Sequence, residues 1–140
     1  MRNKIMLLGC LLIVSFALCA CSADAEESGT ASVTASDFIS GKPHELPLAG
    51  KVTMVDLGAH ACVPCKMMTP IIKELSREYD GRAVIAFIDV WEHREEAEKY
   101  GISAIPTQIF YDAQGKEQYR HVGFMDKKSI ISKLEELGVR

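Results

Sequence analysis

Val52-Thr53-Met54-Val55-Asp56-Leu57, then Gly58-Ala59-His60-Ala61, then Cys62-Val63-Pro64-Cys65 reads as a strand, a loop and the start of a helix. The run Val52 to Leu57 is apolar with one acid in it, and short enough for a buried strand. From Cys62 to Tyr79 the period changes. Met67, Ile71, Leu75 and Tyr79 recur every four residues, and Met68 and Ile72 widen that stripe into a helical core face. Asp80-Gly81 is a helix stop.

Working outward, Ala83 to Val90 is almost wholly apolar, as a strand covered on both faces requires. Glu92 to Tyr100 predicts a short charged helix ended by Gly101. Thr107 to Tyr111 and Glu117 to Val122 are strand-like and flank a Gly-containing connection, Asp112 to Lys116, which predicts a hairpin. Asp126 is placed to cap a last helix whose Ile130, Ile131, Leu134 and Leu137 face inward. Crossover helices make the first strands parallel, and the tight hairpin makes the last pair antiparallel. The fold class is therefore α/β, a mixed central sheet with helices on both faces. Residues 37–50 show no periodic pattern, being broken by Pro43, Pro47 and Gly50.

The amino terminus has a different character. Arg2 and Lys4 precede an uncharged apolar run from Ile5 to Ala20, the order of a secretory signal. That run is short of the roughly 20 residues that span a bilayer comfortably. Leu18-Cys19-Ala20-Cys21 has the form of a bacterial lipobox, with Cys21 as the acylated residue; ordinary cleavage leaving a stray thiol, or an uncleaved anchor, are the competing readings. Residues 22–36 are Ala, Ser, Thr, Glu and Gly with hardly a large apolar side chain, the composition of a flexible tether. The expected organisation is a lipoprotein signal peptide over 1–20, a lipidated N-terminus and tether over 21–36, and one folded domain over 37–140. This arrangement disposes of all five cysteines. Cys10 and Cys19 leave with the signal, Cys21 carries lipid, and Cys62 and Cys65 remain as a pair in an oxidising compartment. A net charge of −3 and no basic run interleaved with aromatics exclude a nucleic-acid partner.

A thiolate, not a thiol, attacks disulfides, so a working dithiol needs one cysteine of lowered pKa. At a helix start, unpaired backbone N–H groups and the positive dipole end favour the thiolate of Cys62. Cys65, one turn on along the same face, can close a disulfide with it. Cys62 is then the exposed nucleophile and Cys65 the resolving thiol, with Pro64 in the first turn, where its missing N–H costs nothing. A structural zinc site needs four ligands and no second CxxC exists, so no metal is expected. An inert disulfide closing so small a ring would be a poor staple. Asp56 shares a strand face with Val52 and Met54, which predicts a substantially buried carboxylate of raised pKa.

Several motifs together carry a resemblance. Cys62-Val63-Pro64-Cys65-Lys66-Met67 with Pro70, the earlier Val55-Asp56, the later Tyr100-Gly101-Ile102 and Ile105-Pro106-Thr107, and Gly123 after the last strand are similar to thioredoxin, in order and approximate spacing over about 51–140. The resemblance implies the thioredoxin fold and a thiol–disulfide oxidoreductase that works without a cofactor. It implies that Pro106 is the family's cis-proline beside the dithiol and that Ile105 and Gly123 border a substrate groove. It further implies that Asp56 moves a proton to or from Cys65. The chain departs from the family where Ala61 and Gly58 stand in place of Trp, where the Lys near the buried acid falls at or near Phe87, and where Val-Pro replaces Gly-Pro between the cysteines.

The function expected is a membrane-tethered reductant of disulfides in exported proteins, in the periplasm or another extracytoplasmic space. A disulfide oxidase or isomerase, a thiol-based copper carrier and a non-catalytic docking module are the other readings. The implied partners are disulfide-containing exported proteins, apocytochrome c among them, a membrane electron donor that recharges the dithiol, and the lipid surface reached through Cys21.

Overall fold

The computed structural model describes residues 34–140. The expected signal segment, Cys21 and the tether up to residue 33 lie outside the described residues. A single helical turn, α1 (Ala35–Phe38), opens the described chain. The Asp37 carboxylate accepts the Thr34 backbone N–H at 2.8 Å, which satisfies an otherwise unpaired donor at the start of that turn. This turn straddles the expected domain start at residue 37. The rest runs β1 (Thr53–Gly58), α2 (Val63–Glu78), β2 (Val84–Asp89), α3 (Arg94–Lys99), β3 (Thr107–Tyr111), β4 (Glu117–Val122) and α4 (Lys127–Glu136).

The four strands form one sheet in the order β2-β1-β3-β4. β1 runs parallel to β2 and antiparallel to β3, and β3 is antiparallel to β4. The strand that carries Asp56 and leads into the dithiol loop is thus flanked on both sides. All six of its residues are buried. β4, at the edge, is charged and largely exposed, as an edge strand must be to avoid pairing with another chain. On the β2 side Gly41 forms an isolated parallel bridge to Ile88, so the irregular stretch after α1 covers that edge.

Helices cover both faces, as the periodicity predicts. Met54, Ile85, Phe87 and Phe110 pack beneath α2 and α4 through Met68, Ile72, Leu75, Ile130 and Leu134. The opposite face, Val55, Leu57, Ile88, Ile109 and Tyr111, packs against Tyr100, with Ala97 of α3 at its margin. One expectation needs correction. Met67 is not on the core face of α2 but 52% exposed, whereas Cys65, Met68, Ile72 and Leu75 are buried. A repeat of four residues drifts around a helix of 3.6 residues per turn, so Met67 at one end of the row leaves the core face while Leu75 and Tyr79 stay on it. Pro70 lies inside α2 without ending it.

Candidate active site

Cys62 is the N-cap of α2, with extended backbone (φ −79°, ψ 126°), and Val63 and Pro64 fill the first turn. Val63 is 72% exposed. Cys62 and Cys65 are disulfide-bonded, with Cα atoms 5.2 Å apart. The Cys65 backbone N–H points to Cys62 Sγ at 3.4 Å. It is one of the first-turn donors that the helix itself leaves unpaired, so it supports a thiolate on Cys62 when the pair is reduced. The expectation of an exposed Cys62 needs correction. Cys62 is buried at 7% exposure and Cys65 at 3%, in a cluster with Ala59 against which Ile105 packs.

Gly58 explains how the helix start comes so close to β1. A Cβ built there would lie 3.3 Å from Cys65 Sγ and Cβ and 3.1 Å from the Phe87 ring. Two residues back on the same strand face, Asp56 is 1% exposed. Burial pushes its carboxyl up from an ordinary 3.8 to about 7, against the pull of a hydrogen bond from Gln108. That bond, Gln108 Nε2 to Asp56 Oδ1, measures 2.8 Å. Asp56 Oδ2 and Gln108 Oε1 have no hydrogen-bond partner among the described residues. In register Asp56 stands between Phe87 on β2 and Gln108 on β3. A carboxyl that titrates near neutrality is suited to passing a proton.

The Ile105–Pro106 peptide bond is cis. Pro106 is buried, Ile105 half-buried against the disulfide, and the Gly123 N–H donates to the Pro106 carbonyl at 2.8 Å. Gly123 has φ +104°, a conformation that a side chain would strain. The structure therefore brings Ile105, Pro106 and Gly123 to one place beside Cys62 and Cys65. A second cis bond, Leu46–Pro47, lies in the irregular segment. Beside Ile105 a shallow hollow of about 210 Å³ is walled by Val90, Ala97, Ile102 and the chain's single tryptophan, Trp91, which is 56% exposed.

Two participants were not legible as site residues. Gln108 is a lone amide in an apolar strand, and only the strand register reveals that it meets Asp56. Asp89, 2% exposed at the end of β2, accepts the backbone N–H groups of His60 at 2.7 Å, Trp91 at 2.9 Å and Glu92 at 3.2 Å. Burial would raise its pKa, but these donors together outweigh it and hold the carboxyl below its usual range. Asp89 thereby ties the loop before Cys62 to the turn that carries Trp91. The signal for it is an Asp leaving a strand into a turn, a residue type that receives backbone N–H groups there. His60 itself is 56% exposed on its side chain, with its ring 5.1 Å from that of Phe87. Among the described residues no three His, Cys, Asp or Glu side chains converge as a metal site, and no helix is long and apolar enough to cross a membrane.

Over most of its described length the chain is similar to proteins of one family. The family model for thioredoxin matches residues 39–136. Thioredoxin 2 of Chlorobaculum tepidum is 40% identical over 92 residues, 66% of this chain and 84% of its own length. The thioredoxin of Staphylococcus epidermidis is 38% identical over 104 residues, 74% of this chain and 93% of its own. Among solved structures, thioredoxin NaTrxh of Nicotiana alata shares 37% identity at a TM-score of 0.56, covering 62% of this chain and 73% of the other. The germline-specific thioredoxin Deadhead of Drosophila melanogaster shares 31% at the same TM-score of 0.56, covering 63% and 82%. Motif, topology and site geometry agree with these likenesses, and the chain belongs to the thioredoxin family of thiol–disulfide oxidoreductases.

Proposed function

We propose that this protein is a lipid-tethered reductant of disulfides in exported proteins. The observation that carries the chemistry is the Cys62–Cys65 pair at the start of α2, with the Cys65 N–H directed at Cys62 Sγ. When reduced, the Cys62 thiolate attacks a substrate disulfide and expels one substrate thiolate, leaving a mixed disulfide. Asp56 takes the proton from Cys65, whose thiolate attacks Cys62 Sγ. The Cys62–Cys65 bond closes and the second substrate thiolate leaves. Two electrons have passed from the protein to its client. Val63, Met67, Trp91 and Phe124, all exposed, supply the apolar surface that a client polypeptide would cover.

The tether and the exported location rest on the sequence before residue 34: a charged start, an apolar run and Cys21 in a lipobox setting. A reductant outside the cytoplasm consumes electrons that its compartment does not supply, so the reading includes a membrane protein that re-reduces Cys62–Cys65. Exported proteins with accessible cysteine pairs, apocytochrome c among them, are the clients it fits.

The deciding experiment is the reduction potential of Cys62–Cys65 in the detergent-solubilised chain, equilibrated against defined thiol buffers. A value near or below about −230 mV, on the thioredoxin side of the scale, supports the reductant. A value near about −120 mV reverses the electron flow and makes the protein a disulfide-forming enzyme.

A further inference from the structure

The polar pair at the centre of the sheet does more than a core needs. Asp56 and Gln108 face each other across β1 and β3, 1% and 0% exposed, joined by a single hydrogen bond. A pair kept only for packing would leave no polar atom unmatched, since an orphaned buried group is costly. Here Asp56 Oδ2 and Gln108 Oε1 both lack a partner among the described residues. The carboxyl is thus fixed at one oxygen and left unbonded at the other.

Among the described residues Asp56 has no charged partner. β2 presents Phe87 directly beside it. On α2 the group that comes nearest is Cys65, whose Sγ approaches Gly58, two residues along from Asp56, while the exposed Lys73 lines a hollow with His60 on the outer side of Phe87. Asp89 lies opposite Gly58 in register and is occupied by three backbone N–H groups. His60 lies in the exposed loop beyond, its ring against Phe87. From β3 the facing group is Gln108 itself, a neutral amide. A cation there would lower the carboxyl's pKa through its charge, whereas the amide steadies one oxygen by a hydrogen bond and brings no charge with it.

We propose that Gln108 is the positioning residue of the resolving step: its amide N–H holds Asp56 Oδ1, so that Oδ2 is the oxygen that takes up and returns the Cys65 proton. This deepens the reading of Asp56 given above and rests on it. In the forward direction the Cys65 S–H proton moves to Oδ2, and the Cys65 thiolate attacks Cys62 Sγ of the mixed disulfide. The Cys62–Cys65 bond forms, the bond between Cys62 and the substrate sulfur breaks, and its electron pair departs on that sulfur. In the reverse direction Oδ2 gives the proton back to Cys65.

The test uses Gln108→Met and, as a second apolar replacement, Gln108→Leu, in the full chain held in detergent. Single-turnover experiments follow formation of the mixed disulfide and its resolution separately from pH 5.5 to 9. Without the amide the ionised carboxyl loses a donor, so the midpoint governing resolution should rise by about one pH unit. Resolution should slow about tenfold at pH 6 and recover to within about twofold at pH 9, and mixed-disulfide formation should change by less than about twofold. In an Asp56→Asn background Gln108→Met should add no more than about twofold. In the wild-type chain the Gln108 side-chain amide resonances should titrate with Asp56, a readout that needs no variant to fold. A midpoint unmoved in both variants, equal slowing at every pH, or amide resonances flat across the titration would each overturn the role of Gln108. If Asp56→Asn itself leaves the resolution profile unchanged, the proton-transfer reading of Asp56 falls and this inference falls with it. If Asp56→Asn flattens the profile while Gln108→Met does not shift it, the role of Gln108 alone is lost.

Discussion

Asp56→Asn removes a titrating proton from the centre of the sheet while keeping the side chain's shape and an amide opposite Gln108, so its effect on stability should depend on pH with a sign set by burial. The folded-state carboxyl titrates near 7 against an ordinary value of 3.8. Below about pH 4 it is protonated in both folded and unfolded chains and contributes no pH dependence. Between there and pH 7 the unfolded chain releases the proton and the folded chain keeps it, so stability falls as pH rises. Above pH 7 the folded group ionises as well and the loss is complete. At about 1.4 kcal/mol per pH unit the full loss is on the order of 4 kcal/mol. Asn carries no such penalty. Urea unfolding of the oxidised protein at pH 4, 5.5, 7 and 8.5 reads the difference. The variant should gain on wild type progressively, reaching a midpoint higher by about 2 M urea at pH 8.5, with the curves converging at pH 4. Parallel stability profiles for the two proteins across that range would refute the reasoning, since they would mean that Asp56 titrates alike when folded and unfolded.

Gly58→Ala places a methyl 3.1 Å from Phe87 and 3.3 Å from Cys65 Sγ. It should cost about 1–3 kcal/mol of stability, read as a lowered thermal midpoint. Trp91→Ala, at an exposed side chain, should leave unfolding within about 0.5 kcal/mol of wild type. It should nevertheless lower kcat/KM about fivefold for a folded protein disulfide while leaving reduction of a small disulfide reagent unchanged, a split that a merely structural role would not produce. Cys21→Ala should move the protein from the membrane fraction to the soluble fraction. Retention on membranes would show that the amino-terminal apolar run serves as an uncleaved anchor.

Much of this architecture is legible because it is local. The apolar run with Asp56, the helix after Cys62, and the hairpin between Thr107 and Val122 all announce themselves by period and turn chemistry. Asp126 does accept the Ser129 N–H at 3.1 Å, the cap that its position before Ile130 predicts. What stayed hidden is set by pairing across the sheet. Nothing near Gln108 in sequence says that it faces Asp56, because β1 and β3 are joined only by a register determined by the whole fold. Residues 37–50 were illegible for another reason. Their order comes from tertiary contacts, such as the Gly41 bridge to Ile88, rather than from any repeat of their own.

The chain's departures from the family pattern around Asp56 make sense as one change rather than several. A large side chain at position 58, where the pattern has Trp, is incompatible with Phe87, whose ring comes within 3.1 Å of where even a Cβ would stand. Gly58 therefore accompanies Phe87, and the lysine of the pattern falls at or near Phe87. With that cation gone the buried acid has a single hydrogen-bond donor left, and it comes from the other neighbouring strand as Gln108. An acid that withdraws on the order of 4 kcal/mol of stability at alkaline pH is a residue that Asn would improve upon if folding alone were at stake. Its place two residues from Gly58, against which Cys65 packs, with one oxygen held by a neutral amide, is the ground on which the proton transfer is proposed. Phe87→Lys alone should accordingly fail to restore an ion pair, because the space above Gly58 that the ring fills would be left empty while a second charge was buried. The cation would need a bulky partner at 58 before it could hold Asp56 ionised.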